Sequence, residues 1–463
     1  MIPATAADQD LIAEVRAIVG ERGVLTGEDV RGRSCDPFRA VPPLGPMIAR
    51  PASTSEVSRI MALCARRGQR VVTHGGRTGV AGGAYAGPDE LVISLERMAR
   101  IEEICDIGLV AVVEAGVTVE ALQNAAAARG LLYPVDLGAR GSATIGGTIA
   151  TNAGGNRVLR WGMTRQNLLG LEAVLIDGTA VSAMNRLTKN NTGYDLKHVL
   201  VGSEGTLAIV TRAVMRLVPA PSSQAVAFVS VAGHEALLAL LGLARRLSTL
   251  SAFEVMWPDY YDLVSASGAD RRPVEPGRGP CVLIEAMGYS AVLDRKIFED
   301  FLEGAYEAGL IAEAVVAASD RQIAELWRVR EASEVIVREM SPFVSFDVSV
   351  DVRHVEAFVE RAKTLLGAAY RLVRTATFGH LGDNNIHIAV HVGPGTAAEE
   401  TNVERLVYQA LGEFCGAITA EHGIGQLKRA FLPDHKSAGE MTMMRRLRDG
   451  LDPDRLLNRD VLF

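Results

Sequence analysis

Hydrophobic and polar positions along the chain switch between a helical and an alternating period, and the switches mark the elements. Apolar residues at 11, 12, 15, 18 and 19 predict a helix over Asp10–Val19, stopped by Gly20 and Gly23. An irregular stretch over 21–46, with four prolines, precedes a short strand at Met47–Arg50. Ser53 and Glu56 read as a capping box, in which each side chain satisfies an orphan N–H. The helix they open buries Val57, Ile60, Met61 and Cys64, ends at Gly68, and leads into strand Arg70–Thr73 as a βαβ unit. Further strands are expected at Leu91–Ser94 and Leu109–Glu114, and Thr118 caps a helix over Val119–Arg129. A hairpin, Leu171–Ile176 with Thr179–Ser182, turns at Asp177-Gly178. Thr206–Val218 reads as one unbroken strand, and Pro219–Ser223 as the clearest domain boundary.

Beyond that boundary strands and helices alternate. Strands are expected at Ala225–Val231, Phe253–Trp257, Cys281–Met287, Ile311–Val316 and Phe343–Val350. Helices are expected at Glu235–Leu247, Ala291–Ala308, Asp320–Glu339 and Arg353–Leu366, with an exposed linker over Asp270–Pro280. The pattern predicts an α+β fold whose second part is an antiparallel sheet with helices on one face. From about Cys415 onward the chain reads as short helical pieces.

Two stretches fit neither period. Pro134–Asn156 holds six glycines, with Ser142, Thr144, Thr148 and Thr151 among them and only two charges, Asp136 and Arg140. His74-Gly75-Gly76-Arg77-Thr78-Gly79 follows the βαβ strand and continues through Gly82-Gly83. Glycine lets backbone approach a ligand closely, and bare N–H groups with hydroxyls suit a pyrophosphate. A long, tight surface loop is the alternative reading of either stretch alone. The His74 loop is not a phosphate loop, since no GK[ST] follows, nor a GxGxxG opening a helix, so nicotinamide dinucleotides are not indicated. Two such loops together point to one long cofactor gripped at two places.

Composition narrows the classes. A formal net charge of −7 disfavours a nucleic-acid binder. The five cysteines (35, 64, 105, 281, 415) are far apart and form no C-x-x-C pair, which argues against a thiolate metal site or a disulfide framework. The first residues carry neither the basic nor the apolar region of a secretory signal, and no apolar run is long enough to span a membrane, so the cytoplasm is the expected location.

The candidate chemistry lies late in the chain. Phe378–His387 reads FGHLGDNNIH, with His380 and His387 seven positions apart across a turn that can aim both rings inward. Ile386, Ile388 and Val390 alternate with His387, Ala389 and His391. Thr419–Gly425 reads TAEHGIG. Two His and one Glu can form a three-ligand set with an open position, as catalytic zinc sites do; a Glu–His ion pair is the alternative.

Taken together, HGGRTGVAGG, PVDLGARGSATIGGTIATNAGG and NNTGYDLKHVLVGSEGTLAIVT resemble the FAD-binding domain of the vanillyl-alcohol-oxidase/p-cresol-methylhydroxylase (PCMH) flavoproteins. The similarity runs from about Ile48 to Leu457 and is nearest to the D-2-hydroxyacid dehydrogenases: D-2-hydroxyglutarate dehydrogenase, D-lactate dehydrogenase and the glycolate oxidase flavin subunit. The resemblance implies an N-terminal helical segment (1–41), a PCMH-type FAD-binding domain (42–220), a substrate or cap domain (221–414) and a C-terminal segment (415–463) returning to the FAD domain. For FAD it implies Gly75, Gly76, Arg77, Thr78, Gly79, Gly83, Pro134, Asp136, Gly141, Ser142, Gly146, Gly147, Asn152, Gly154, Glu204, Gly205, Ile209 and Asn458. Arg459 and Asp460 stand where the family has proline and glycine after that asparagine. It implies His380, His387 and Glu421 as ligands of a divalent metal, zinc first, although manganese or cobalt also suit such donors. His422 becomes the base that takes the substrate hydroxyl proton, and Arg330 binds the substrate carboxylate. Asn384 stands where the family has glycine. His391 has no counterpart and reads as structural. His74 reads as a hydrogen-bonding residue rather than a covalent flavin link.

The implied activity is oxidation of a D-2-hydroxy acid to the 2-oxo acid, with hydride passing to FAD and electrons to a quinone, an electron-transfer flavoprotein or a similar acceptor. A homodimer is compatible with it. Alternatives are a D-2-hydroxyglutarate-specific enzyme, an O2-using oxidase, or a non-catalytic flavin subunit of a larger complex. Around the matching motifs, Glu334, Ser345 and Ala389 replace a threonine, a lysine and an asparagine that the resemblance implies. These departures predict a D-2-hydroxy monocarboxylate with a modest apolar tail, unless Arg338 or Arg353 stands in for the missing cation.

Overall fold

The computed structural model describes residues 6–268, 272–275 and 279–463, and the chain divides into two units. Of the described residues, the first unit takes in those up to Gly155, Trp161–Ala220 and Glu421–Phe463; the second takes in Asn156–Arg160 and those between Pro221 and Ala420.

In the first unit, helix α1 (Ala6–Val19) precedes a sheet of β1 (Val24–Thr26), β2 (Met47–Ala49), β3 (Arg70–His74) and β4 (Glu90–Ser94), ordered β1-β2-β4-β3. Both β2 and β3 run parallel to β4, so the chain between them crosses over as α2 (Thr54–Arg67). The cap forms as its residues dictate: Ser53 accepts from the Glu56 N–H at 3.2 Å. The Glu56 carboxylate accepts from the N–H of Ala52 at 2.7 Å rather than that of Ser53. Val57, Ile60, Met61 and Cys64 are all buried.

A second, antiparallel sheet holds β5 (Ile101–Cys105), β6 (Val110–Glu114), β7 (Leu168–Val174), β8 (Ala180–Ala183) and β9 (Ile209–Arg216), ordered β5-β6-β9-β7-β8. Thr118 caps α3 (Val119–Ala127) by accepting from the Ala121 N–H. The strand expected over Thr206–Val218 is divided. The Leu217 N–H turns to the Leu109 carbonyl, and Val218-Pro219 pairs instead with Leu131-Leu132.

The glycine-rich stretch is not all loop. Ile145–Thr151 is helix α4, capped by Thr144 and ended by Asn152 at φ +50°. Two glycines in its first turn each disfavour helix by about 1 kcal/mol relative to alanine. Burial of Ile145 and Ile149 beside Leu171, Ala173 and Ala213 offsets this. Gly146 lets the helix lie against Ala115, where a Cβ would stand 2.7 Å from the Ala115 methyl.

The returning segment 421–463 closes this unit. Its helix Ala438–Leu451 carries Arg448, which is 1% exposed and donates to the carbonyls of Leu457, Asn458 and Val461. That guanidinium shapes the tail so that Leu457 bridges Val71 in parallel, and the Asn458 N–H donates to the Val71 carbonyl at 2.8 Å.

The second unit is built on one antiparallel sheet. Its strands are β10 (Ser223–Val231), β11 (Leu250–Met256), β12 (Cys281–Gly288), β13 (Ile311–Val316), β14 (Val344–Ser349), β15 (Arg374–His380) and β16 (Asn385–His391). Their order is β13-β10-β12-β11-β15-β16-β14. Helices cover both faces, not one as expected. After α5 (His234–Ala244) come α6 (Pro258–Ser265), α7 (Ala291–Glu307), α8 (Asp320–Arg330) and α9 (Ser333–Met340). Helices α6, α8 and α9 share a core with Val226, Phe228, Ala252, Leu283, Ala376 and Ala389. Helices α5 and α7 contact β10 without joining that core and so cover the other face. Strand β11 is accordingly buried at every position.

The single helix expected over Asp320–Glu339 is two, separated at Glu331-Ala332. Of the linker expected over Asp270–Pro280, residues 270, 271 and 276–278 lie outside the described residues. The rest is not all exposed: Val274 is 2% exposed and its carbonyl accepts from the Tyr261 hydroxyl at 2.6 Å. Asn156–Arg160 forms a strap on this unit. Asn156 donates to Glu331, Arg160 to the Thr249 carbonyl, and Arg157 to the fully buried Glu285. No helix among the described residues is long and apolar enough to cross a membrane.

Candidate active site

In the first unit both glycine stretches line one groove. Of the residues expected to meet the cofactor, Gly75, Gly76, Arg77, Thr78, Gly79, Gly83, Gly146, Gly147, Glu204, Gly205, Ile209 and Asn458 line it. Pro134, Asp136, Gly141, Ser142, Asn152 and Gly154 are not among its lining residues. Several of these six hold the wall from behind. Asp136 pairs with Arg140 at 2.8 Å, Asn152 accepts from the Arg165 N–H, and the Ser142 carbonyl packs where a Gly76 Cβ would come within 1.9 Å. The space suits a large, flat, phosphate-bearing ligand. A Cβ on Gly79 would meet no protein atom within 4 Å, and one on Gly83 only the Glu204 carboxylate at 4.0 Å. Side chains at these positions would fill the groove itself.

His422 lines the same groove, and the loop that carries it is pinned within this unit. Glu204, 9% exposed, accepts from the N–H groups of Ile424 and Gly425 at 2.9 and 2.7 Å. Burial pushes its carboxyl up; these two amides and the Lys428 charge oppose that, and burial prevails. Gly423, between His422 and the anchored amides, has φ +78°, and a Cβ there would stand 2.9 Å from the Glu204 carboxyl carbon. Asn458 braces the groove from the tail: its Oδ1 accepts from the Thr73 N–H at 3.1 Å and its Nδ2 donates to the Glu204 carbonyl at 2.8 Å. His74 is 1% exposed, with Nε2 2.8 Å from the Ala84 carbonyl, and burial pushes its pKa down to about 4. It makes a hydrogen bond to backbone, as the sequence suggested.

In the second unit, cross-strand register sets the geometry. Glu254, His380, Asn385 and Ser349 are successive partners across β11, β15, β16 and β14. Phe378, His387 and Asp347 form the adjoining row. His380 and His387 therefore share a face despite their odd spacing, because the 3₁₀ turn Leu381–Asp383 lies between them. Asn384 ends that turn at φ +74°, a left-handed conformation that asparagine tolerates, so its replacement of glycine leaves the turn intact. The two imidazoles stand edge to face with ring centroids 5.4 Å apart.

One ring is held by a carboxylate at hydrogen-bond distance, and the other lies near one. His380 Nδ1 lies 2.9 Å from Glu254 Oε1, and His387 Nδ1 lies 3.9 Å from Asp347 Oδ1. Arg330, at the end of α8 and 5% exposed, donates from Nε to Glu254 Oε2 at 2.8 Å. Its Nη2 is 3.4 Å from His380 Nε2, and its guanidinium carbon sits 4.9 Å above the centre of Phe378. Among the described residues Nη1 of Arg330 has no hydrogen-bond partner. Burial pushes the Glu254 carboxyl up, but the charges of His380 and Arg330 outweigh it and the net direction is down.

Carboxylate-backed imidazoles are the donor pattern of metal-binding histidines, since the backing fixes tautomer and ring orientation. The two rings here fit a divalent ion. Glu421 follows directly on Ala420, whose N–H donates to Asp347 Oδ2 at 3.2 Å; Glu421 itself belongs to the first unit.

The row beyond His387 contains Ala376, Ala389 and Ser345. Arg353 is bound to Asp351, and Arg338 to Glu339, both at the surface. Glu334 is exposed. His391 Nδ1 lies 2.8 Å from the Pro342 carbonyl, a structural contact. The sequence reading missed Glu254 and the role of Asp347. The signal was present: each is a single carboxylate inside an apolar strand run, Leu250–Met256 and Val344–Ser349, and an acid there is buried only with a partner.

Comparison with known proteins bears on the whole chain. The FAD binding domain family matches residues 46–183, and the family of FAD linked oxidases, C-terminal domain, matches residues 220–462. A D-2-hydroxyglutarate dehydrogenase of Xanthomonas citri pv. viticola is 38% identical over 421 residues, covering 90% of this chain and 89% of its own. The mitochondrial D-2-hydroxyglutarate dehydrogenase of Bos taurus is 34% identical over 460 residues, covering 99% and 84%. In fold, the chain is similar to 4-ethylphenol oxidase from Gulosibacter chungangensis. The TM-score is 0.76 at 17% identity, covering 100% of this chain and 98% of the other.

Proposed function

Because the chain belongs to the FAD-linked oxidases and is an FAD-dependent oxidoreductase, we propose that it oxidises a D-2-hydroxy acid to the 2-oxo acid. The observation that carries this reading is His422, which lines the FAD groove on a loop pinned by Glu204. A base in the flavin's own groove is what removal of a hydroxyl proton beside a hydride acceptor requires.

FAD, when bound, supplies the acceptor for the hydride leaving the substrate Cα. Arg330 holds the substrate carboxylate: Glu254 fixes its Nε, and the remaining fork suits a planar anion. His422 accepts the hydroxyl proton; an imidazole is the side chain suited to that near neutral pH. His380, His387 and Glu421 would hold a divalent ion, zinc first, whose charge favours the ionised hydroxyl. The carboxylate bonded to His380, and the edge-to-face approach of the His387 ring to it, support the two histidines in this set.

For the substrate we favour a monocarboxylate with a short apolar tail. Its support is the row Ala376–Ala389–Ser345 beside His387, and the engagement of Arg338 and Arg353 elsewhere. The second reading, D-2-hydroxyglutarate, is favoured by the names of the relatives. A buried, unpaired distal carboxylate would cost several kcal/mol. We place the chain in the cytoplasm, where its free thiols suit a reducing medium.

Anaerobic mixing with D-lactate, D-2-hydroxybutyrate and D-2-hydroxyglutarate tests the reading. Bleaching of the flavin absorbance is expected with the first two at kcat/KM at least tenfold above the third. A tenfold advantage for the dicarboxylate would transfer the chain to the second reading, and no bleaching with any of them would leave a non-catalytic flavin subunit. Re-oxidation by a quinone or dye but not by NAD, and slowly by air, is expected of a dehydrogenase rather than an oxidase.

A further inference from the structure

We propose that Glu254 is the positioning residue that holds the substrate-binding arginine and a metal-binding histidine in one geometry. The proposal rests on the roles given above to Arg330 and His380. Glu254 is 1% exposed, on the central strand β11. Its carboxylate is shared: Oε2 takes Nε of Arg330 at 2.8 Å, and Nδ1 of His380 lies 2.8 Å from Oε2 and 2.9 Å from Oε1. The two partners come from a helix end and a strand end that are 50 residues apart in sequence. Their direct contact is long, with Nη2 of Arg330 3.4 Å from Nε2 of His380, so the carboxylate makes the shorter bonds to both. The shared carboxylate supplies the charge that lets a guanidinium and an imidazole pack so closely in a buried site.

Its placement also decides chemistry at both ends. In the neutral ring that metal binding requires, Nδ1 of His380 donating to Glu254 leaves Nε2 without a proton as the ligand nitrogen. With Nε of Arg330 on Glu254 and Nη2 beside His380, the guanidinium is fixed in plane and keeps Nη1 for a carboxylate. Glu254 touches neither the substrate nor the flavin in this scheme. It acts through the other two, and a change there should move metal retention and carboxylate binding together.

The test is Glu254→Gln in the full chain, which keeps shape and removes charge. Three quantities are read: FAD per chain, zinc retained after dialysis against a chelator, and the affinity for pyruvate from its perturbation of the oxidised flavin spectrum. FAD content should match the unmodified protein. Zinc retention should weaken roughly 10–100-fold, and pyruvate affinity should fall at least tenfold. Unchanged zinc retention and pyruvate affinity would overturn the proposal. If Glu254→Gln alone does not fold, Glu254→Gln with Arg330→Met removes both members of the pair, a change buried sites tolerate better. Zinc retention in that double variant should fall below that of Arg330→Met alone; equality would overturn the proposal. The unmodified protein separates the two levels. If it neither holds zinc nor is reduced by a D-2-hydroxy acid, the reading of the site fails and takes this proposal with it. If it does both while Glu254→Gln matches it, only the positioning role is lost.

Discussion

Two buried acids, one in each unit, show how differently the halves of this protein work. Glu204 is answered by backbone: two N–H groups reach its carboxylate, and burial still pushes its carboxyl up. Glu254 is answered by a guanidinium and an imidazole, and there burial loses. Backbone dipoles only partly offset the cost of taking a carboxylate out of water, whereas full charges at hydrogen-bond distance reverse it. The first unit therefore shapes a groove with glycines, amides and caps, which suits a large ligand. The second sets charged side chains on a sheet face, which suits a small anion.

The most severe way to probe that contrast is at His422, an imidazole in the glycine-built groove. His422→Asn should keep FAD and lower the rate of flavin reduction by about 10²–10⁴-fold, the usual contribution of a general base. Anaerobic stopped-flow absorbance reads it, and near-normal reduction would remove His422 from the base role.

His74 probes the first unit's stability. Its folded pKa of about 4 lies below the ordinary 6.5, because burial penalises the imidazolium. The unfolded chain thus binds the proton first, and stability is complete above pH 6.5 and lost as pH falls from there to about 4. The loss should reach about 3 kcal/mol, read as urea midpoints against pH, and His74→Gln should flatten the profile.

In the second unit, Arg330→Lys keeps the charge and removes the fork. We expect kcat/KM to fall about 30-fold, the scale of one charge-assisted hydrogen bond, with FAD content unchanged. A loss of FAD instead would mean that the division of labour between the units is wrong. The mildest probe is Gly79→Ala, whose Cβ meets no protein atom within 4 Å yet faces the groove. FAD affinity should drop about tenfold, an overpacking penalty of about 1–2 kcal/mol, while the unfolding midpoint of the FAD-free protein stays put.

Much of this was legible in the order of residues, and the exceptions have physical causes. The crossover from β2 through α2 into the first glycine loop could be read because its caps and its apolar face obey local rules. Helix α4 could not, because two glycines in its first turn hide a helix held by the packing of Ile145 and Ile149. The break at Glu331-Ala332 carries no glycine or proline, and its strap partner Asn156 lies 175 residues away. His380 and His387 could be paired from their spacing and turn. Their neighbouring acids stood out as lone carboxylates in strand runs, but which histidine each would meet could not be read, because register across four strands is a tertiary fact. Arg448, charged and inside, is invisible to any hydrophobic pattern.

The stitch made by Asn458 has a consequence for how the molecule is made. Residues 421–463 leave the ribosome only after all of the second unit, yet they belong to the first. Domains generally fold in the order they emerge. Here the earlier half must wait as an unfinished scaffold, with the Thr73 N–H and the Glu204 carbonyl lacking the amide that joins them. A nascent chain stalled before Asn458 would hold the second unit complete and lack the amide that joins Thr73 to Glu204 beside the groove.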